Sequence, residues 1–152
     1  MQSLAGGKGC NVAPRPAHAR READGDGVGG WHGGAVYREG TGKKGIATDF
    51  VYTDFESRTC TSILDSHNQT MTEIYEKGRA SATRKVAEML VHFREKVNGA
   101  TAVSLSGSIP PGVPHDIYAQ LITIAHESHV SVFLDSSNEA LLQGVAAKPL
   151  LD

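Results

Sequence analysis

ATAVSLSGSIPPGVPHDIYAQLITIAHESHVSVFLDSSNEAL, residues 100–141, is the stretch on which the fold reading turns. Residues 100–105, ATAVSL, form a short apolar run bounded by turn residues, the pattern of a parallel strand buried on both faces. Pro110, Pro111 and Pro114 then interrupt regular structure, because proline lacks the backbone donor and fixes φ. From 115 to 128, Ile117, Leu121, Ile122 and Ala125 fall on one face of a helix. Residues 130–134, VSVFL, read as a second buried strand, and a short helix follows near 138–144. Strand, helix and strand at crossover spacing make a βαβ unit, with parallel strands and a right-handed connection.

Upstream of this unit, Val86, Met89, Leu90, Phe93 and Val97 repeat at helical spacing over 81–97, and Asn98-Gly99 supplies the stop. Residues 58–65, RTCTSILD, and 71–75, MTEIY, read as two strands joined by a turn at 66–69, an antiparallel hairpin standing off the α/β core. Residues 14–45 are different. The run PRPAHARREADGDGVGGWHGG carries no helical or strand period, and its only large apolar residues are Val28 and Trp31, with Val36 just beyond. It reads as a disordered segment. Its Pro/Arg/Ala/Gly mixture is also what a GC-rich gene yields when read out of frame, with the frame restored near Lys43-Lys44-Gly45.

Composition excludes several classes. The formal net charge of −2 gives no attraction to nucleic acid or to an anionic membrane. No apolar run approaches the roughly 20 residues of a membrane helix, and the N-terminus has no apolar signal-peptide core, so the cytoplasm is the expected location. Cys10 and Cys60 neither make a disulfide framework nor have zinc-site spacing. The seven histidines are scattered, and His126 and His129 read as a surface pair.

Four segments carry chemistry. Residues 5–11, AGGKGCN, place Gly6, Gly7 and Gly9 where backbone can approach a ligand, with consecutive N–H groups forming an anion-friendly nest. Lys8 adds a cation, and Asn11 offers a donor and an acceptor to hydroxyls. The spacing is not that of a Walker loop. Arg58 stands at the head of the first hairpin strand, and its guanidinium fork suits a phosphate or carboxylate. Ser106, Gly107 and Ser108 follow a parallel strand at its carboxyl end, where α/β proteins bind ligands. Asp135 ends the neighbouring strand on the same rim, or helps start the next helix.

Taken in order, AGGKGxN, the RTC strand head, SGSxPPGVP and LDxSxEAL resemble the PfkB/ribokinase family of sugar kinases, in the branch of 1-phosphofructokinase and tagatose-6-phosphate kinase. The resemblance implies a ribokinase-like α/β fold of parallel βαβ core units plus an antiparallel β-hairpin lid, of which this chain is a fragment. It divides the chain into a sugar-phosphate loop at 1–13, the aberrant segment at 14–45, lid strands at 46–80 and a partial α/β core at 81–152. Gly6, Gly7, Lys8 and Asn11 then match the family's sugar-phosphate loop, Arg58 a lid residue that binds the substrate phosphate, and Ser108 a position lining the cleft. Glu73 lies in the lid hairpin, and Lys148 lies in AAKP before the family's route to the nucleotide site. ATP and Mg²⁺ are the implied cofactors, and fructose 1-phosphate, tagatose 6-phosphate or fructose 6-phosphate the implied acceptor. A homodimer through the lid hairpin is a further implication. The family's catalytic aspartate lies in a GAGD motif, and no GAGD occurs in these 152 residues, so no catalytic residue is assigned and the chain itself is expected to be inactive.

Overall fold

The computed structural model describes residues 24–29, 47–81 and 83–149. In chain order the elements are β1 (Asp24–Gly29), β2 (Ala47–Tyr52), β3 (Cys60–Asp65), β4 (Thr70–Tyr75), α1 (Thr83–Lys96), β5 (Ala102–Ser106), α2 (Ile117–Glu127), β6 (Ser131–Asp135) and α3 (Asn138–Ala146). The strands make three two-stranded sheets: β1 with β2 in parallel, β3 with β4 antiparallel, and β5 with β6 in parallel. The architecture is mixed α/β, with βαβ pairing and an antiparallel hairpin as the periodicities require.

α2 is the centre of the core. Its apolar residues Ile117, Leu121, Ile122 and Ala125 are all buried, together with Tyr118 and Ile124. α1 contributes Val86 and Phe93, followed by Val97 just past its end, with Met89 and Leu90 packed against the cluster. α3 closes against α2 and β6 through Ala140 and Gly144. Ile122 and Val132 are completely buried, and each such side chain contributes about 1.5–3 kcal/mol by leaving water.

The sheet of β5 and β6 corrects one expectation. Both strands read as buried on two faces, yet only Val103, Leu105, Val132 and Leu134 turn toward the helices. Their alternates Ala102, Ser104, Ser131 and Phe133 are exposed, with Phe133 at 42%. Among the described residues helices cover one face only, so the strands show a period of two. An apolar run such as VSVFL does not reveal whether its second face is covered.

The segment 14–45 also departs from expectation at one place. Residues 24–29, DGDGVG, form β1, paired with β2 from Asp24 opposite Ala47 to Gly29 opposite Tyr52. Strand formation here comes from the ladder that β2 offers rather than from local propensity, which glycine and aspartate oppose. The rest of that segment lies outside the described residues. β2 accordingly belongs with β1 and α1, not with the hairpin strands among which 46–80 had been grouped. Asp49 of β2 accepts from Lys96 Nζ at 2.8 Å at the end of α1. His92 Nε2 is 3.1 Å from the same oxygen, without the alignment of a hydrogen bond.

The hairpin of β3 and β4 is turned by Asp65, whose carboxylate accepts from the backbone N–H groups of His67 and Asn68 and from Asn68 Nδ2. Gln69 completes the turn at φ 54°. Residues directly opposite share a face, so Leu64 and Met71 lie together on one side, and Ile63 and Ile74 on the other. All four are exposed.

Candidate functional site

β5 and β6 run in parallel, so Ser106 and Asp135, opposite each other, mark a common carboxyl-terminal rim. Gly107 follows Ser106 and turns the chain at φ 116°, a conformation that favours glycine. Its N–H donates to the Asp135 carbonyl at 3.0 Å, which extends the ladder by one bond and locks the turn to β6. Its carbonyl oxygen accepts from Tyr118 Oη and Ser136 Oγ, both at 3.0 Å. Ser106 Oγ is buried with no hydrogen-bond partner, while Ser108 is exposed beyond the turn. Burial pushes the Tyr118 phenol above its ordinary pKa, so it stays a donor at neutral pH.

The proline-rich turn after Ser108 meets the base of the hairpin. Ser81 N–H donates to the Pro111 carbonyl at 2.9 Å. Gly78 sits between Pro111 and Arg58: a side chain built there would lie 3.9 Å from Pro111 Cδ and 4.0 Å from Arg58 Cδ. The structure thus brings Arg58 and the turn containing Ser108 to one side of the molecule, although 50 residues separate them in sequence. Arg58 is exposed and lies just ahead of the strand, since the ladder begins at Cys60. Thr59 and Glu76 close the hairpin base, exchanging Thr59 N–H to Glu76 Oε2 at 2.8 Å and Glu76 N–H to Thr59 O at 3.2 Å.

The remaining predicted residues divide as follows. Gly6, Gly7, Lys8 and Asn11 lie outside the described residues. Glu73 is occupied within the hairpin, accepting from Tyr75 Oη at 2.7 Å and Ser62 Oγ at 3.4 Å. Lys148 is exposed in a left-handed turn after α3, at φ 58°. Among the described residues no group of three or more His, Cys, Asp or Glu could hold a metal ion. No described helix is long and apolar enough to cross a membrane.

Sequence reading missed Tyr118 and Ser136. A signal was present: Tyr118 is a hydroxyl-bearing residue among the buried positions Ile117, Leu121 and Ile122 of α2, and a buried tyrosine hydroxyl usually has a partner.

The described residues thus form a mixed α/β protein in which a one-sided parallel βαβ unit ends in a glycine turn and an antiparallel hairpin carries Arg58 near its base. The profile of the pfkB family carbohydrate kinases matches residues 1–150, and the chain belongs to that family. Among solved structures it is similar to a possible 1-phosphofructokinase from Thermotoga maritima, at 29% identity and a TM-score of 0.86, over 99% of this chain and 49% of that one. It is also similar to phosphofructokinase-2 from Escherichia coli. The complex of that enzyme with fructose-6-phosphate matches at 25% identity and a TM-score of 0.83, over 95% of this chain and 47% of that one. The tetrameric inhibited form of the same enzyme matches at 25% identity and a TM-score of 0.82, over 93% and 46%. The chain therefore spans about half the length of these relatives.

Proposed function

We propose that this chain is the substrate-binding part of an ATP-dependent hexose-phosphate kinase and does not turn over by itself. The observation that carries the reading is that Gly78 has both Arg58 and Pro111, of the turn that follows the parallel strand β5, as neighbours: a Cβ built there would lie 4.0 Å from Arg58 Cδ and 3.9 Å from Pro111 Cδ. Arg58 supplies a fork of donors for the substrate phosphate, and the glycine turn supplies backbone donors and the Ser108 hydroxyl for the sugar. Gly6, Gly7, Lys8 and Asn11 match the family's sugar-phosphate loop and are assigned to the same substrate by that resemblance. The acceptor is a fructose or tagatose phosphate, in keeping with the fructose-6-phosphate complex of the Escherichia coli relative.

Phosphoryl transfer requires a positioned base and a neutralised phosphate together. The 152 residues contain no GAGD, so no catalytic step is assigned to them. ATP and Mg²⁺ belong to the remainder of the kinase fold. The exposed face of β5 and β6, with Phe133 at its centre, agrees with a half whose counterpart covers it. A coupled ADP-release assay with fructose 1-phosphate, fructose 6-phosphate and tagatose 6-phosphate tests the inactivity: turnover above blank refutes it. Calorimetric titration with the same sugars tests the binding, and saturable heat is the expected result.

A second reading is favoured by one observation, the exposure of Leu64 (72%), Tyr75 (63%) and Met71 (59%) on one face of the hairpin. An isolated two-stranded ribbon with this much exposed apolar surface suits pairing with a second copy or a full-length partner. Sedimentation of the chain and of Leu64→Lys separates the readings. A dimer lost in the variant supports lid-mediated assembly, and a monomer in both removes it.

A further inference from the structure

We propose that Tyr118 and Ser136 are positioning residues that aim the backbone N–H of Ser108 at the substrate. The inference rests on the sugar-phosphate reading above. Two hydroxyls, one from α2 and one from the segment after β6, converge on the single carbonyl oxygen of Gly107 at 3.0 Å each. Gly107 N–H is fixed by Asp135 O, so the turn is held on both sides of one residue. The chain contains no cis peptide among the described residues. In a trans peptide the carbonyl of one residue and the N–H of the next point in opposite directions. With the Gly107 carbonyl drawn toward Tyr118 and Ser136, the Ser108 N–H points the other way. Among the described residues it has no acceptor, and Ser108 is exposed.

An exposed donor of fixed direction, at the carboxyl end of a parallel strand and beside the turn that contacts the Arg58 side, is suited to an oxygen of an anionic or hydroxylated ligand. Without the two hydroxyls, the peptide between Gly107 and Ser108 loses both bonds that set its orientation. Glycine at φ 116° imposes little restraint of its own. Either hydroxyl alone leaves one bond, so the single variants should be milder than the double.

The test is NMR of the isotope-labelled 152-residue chain titrated with fructose 6-phosphate and, separately, with inorganic phosphate. The variants are Tyr118→Phe, Ser136→Ala, the double variant and Ser136→Thr. The expected result has two parts. Without ligand, the Gly107 carbonyl carbon shifts upfield stepwise from wild type to single to double variant, and Ser136→Thr stays with wild type. With fructose 6-phosphate, the Ser108 amide proton moves downfield in wild type, and affinity falls about tenfold or more in the double variant, the loss of one hydrogen bond to a charged group. Binding that perturbs Arg58 while the Ser108 amide stays still, or a double variant that binds like wild type, overturns this inference and leaves the proposed function standing. A wild-type chain in which neither probe perturbs any residue overturns both.

Discussion

Ser81 donates its backbone N–H to the carbonyl of Pro111 at 2.9 Å, and this bond joins the base of the β3–β4 hairpin to the turn that follows β5. Gly112 makes the approach possible. It sits at φ 80°, and a Cβ there would lie 2.9 Å from the Ser81 carbonyl oxygen and 3.4 Å from Ala80 Cβ. The group in the way is backbone, which cannot swing aside as a side chain would. Gly112→Ala should therefore destabilise the chain by about 1–3 kcal/mol through strain and loss of this approach. Gly99→Ala is the control: its φ is 85°, but nothing lies within 4 Å of the added Cβ. It should cost only the left-handed backbone penalty, about 1–2 kcal/mol. Urea unfolding of both variants checks the order, and Gly112→Ala no worse than Gly99→Ala would show that the contact carries no weight.

Gly144 in α3 presents the opposite balance. A Cβ there would fall 2.5 Å from Leu134 Cδ2 and 3.2 Å from Tyr118 Cβ. Alanine gains up to about 1 kcal/mol of helix propensity over glycine but overpacks the α2–α3–β6 junction at a cost of about 1–3 kcal/mol. The net expectation is destabilisation. Because the nearest obstacle is the end of a leucine side chain, Leu134→Ala should relieve it. In a double-mutant cycle measured by chemical unfolding, the pair should cost less than the sum of the singles. Strict additivity would mean that α3 shifts instead.

Legibility tracked period and burial. The apolar positions Val86, Phe93, Ile117, Leu121 and Ile122 were readable because helices with one buried face advertise it at a spacing of three and four. The hairpin was readable from Ser66-His67-Asn68-Gln69 between two β-prone runs. β1 was not, because DGDGVG has almost no side-chain signal and its ladder depends on β2, more than 15 residues away. The one-sided burial of β6 was hidden for another reason: Phe133 is as apolar as Val132, and only the tertiary structure distinguishes an exposed position from a buried one. In the site, Arg58 and Ser108 were legible as residue types suited to anions. The placement of Arg58 and Pro111 around Gly78 was not, since proximity across that separation leaves no periodic trace.

The tie between β2 and α1 predicts a pH dependence. The Lys96 hydrogen bond holds the Asp49 carboxyl below its ordinary pKa, outweighing an opposing desolvation with further help from the His92 and Lys96 charges. A carboxyl whose pKa is lower folded than unfolded stabilises the fold while it is ionised. That contribution is complete above the ordinary carboxylate range and is lost as pH falls through the lowered folded value. Asp49 and Lys96 are about half exposed, so water and salt limit the effect to about 1 kcal/mol or less. Wild type should exceed Asp49→Asn in urea midpoint at neutral pH, and the two should converge in acid, below the ordinary carboxylate range. A gap that persists unchanged into acid would assign it to side-chain shape rather than charge.

Arg58 provides the most direct test of the proposed site. Its side chain lies beside Gly78 and Pro111, at the base of the hairpin rather than at its exposed tip, so its removal should leave folding intact. Thr59 and Glu76 close that base without it. Arg58→Ala should then unfold at the same urea concentration as wild type within about 0.5 kcal/mol, the usual range for a surface substitution. Sugar-phosphate binding should fall by about tenfold or more, because a charge-assisted bond to phosphate is worth about 1.5–3 kcal/mol. Arg58→Lys should recover only part of the loss, since an ammonium cannot form the paired donors of a guanidinium. Titration with fructose 6-phosphate beside the unphosphorylated sugar gives the decisive contrast. If Arg58 reads the phosphate, the variant loses affinity for the first and is unchanged toward the second. Equal losses for both would place its role in the shape of the turn.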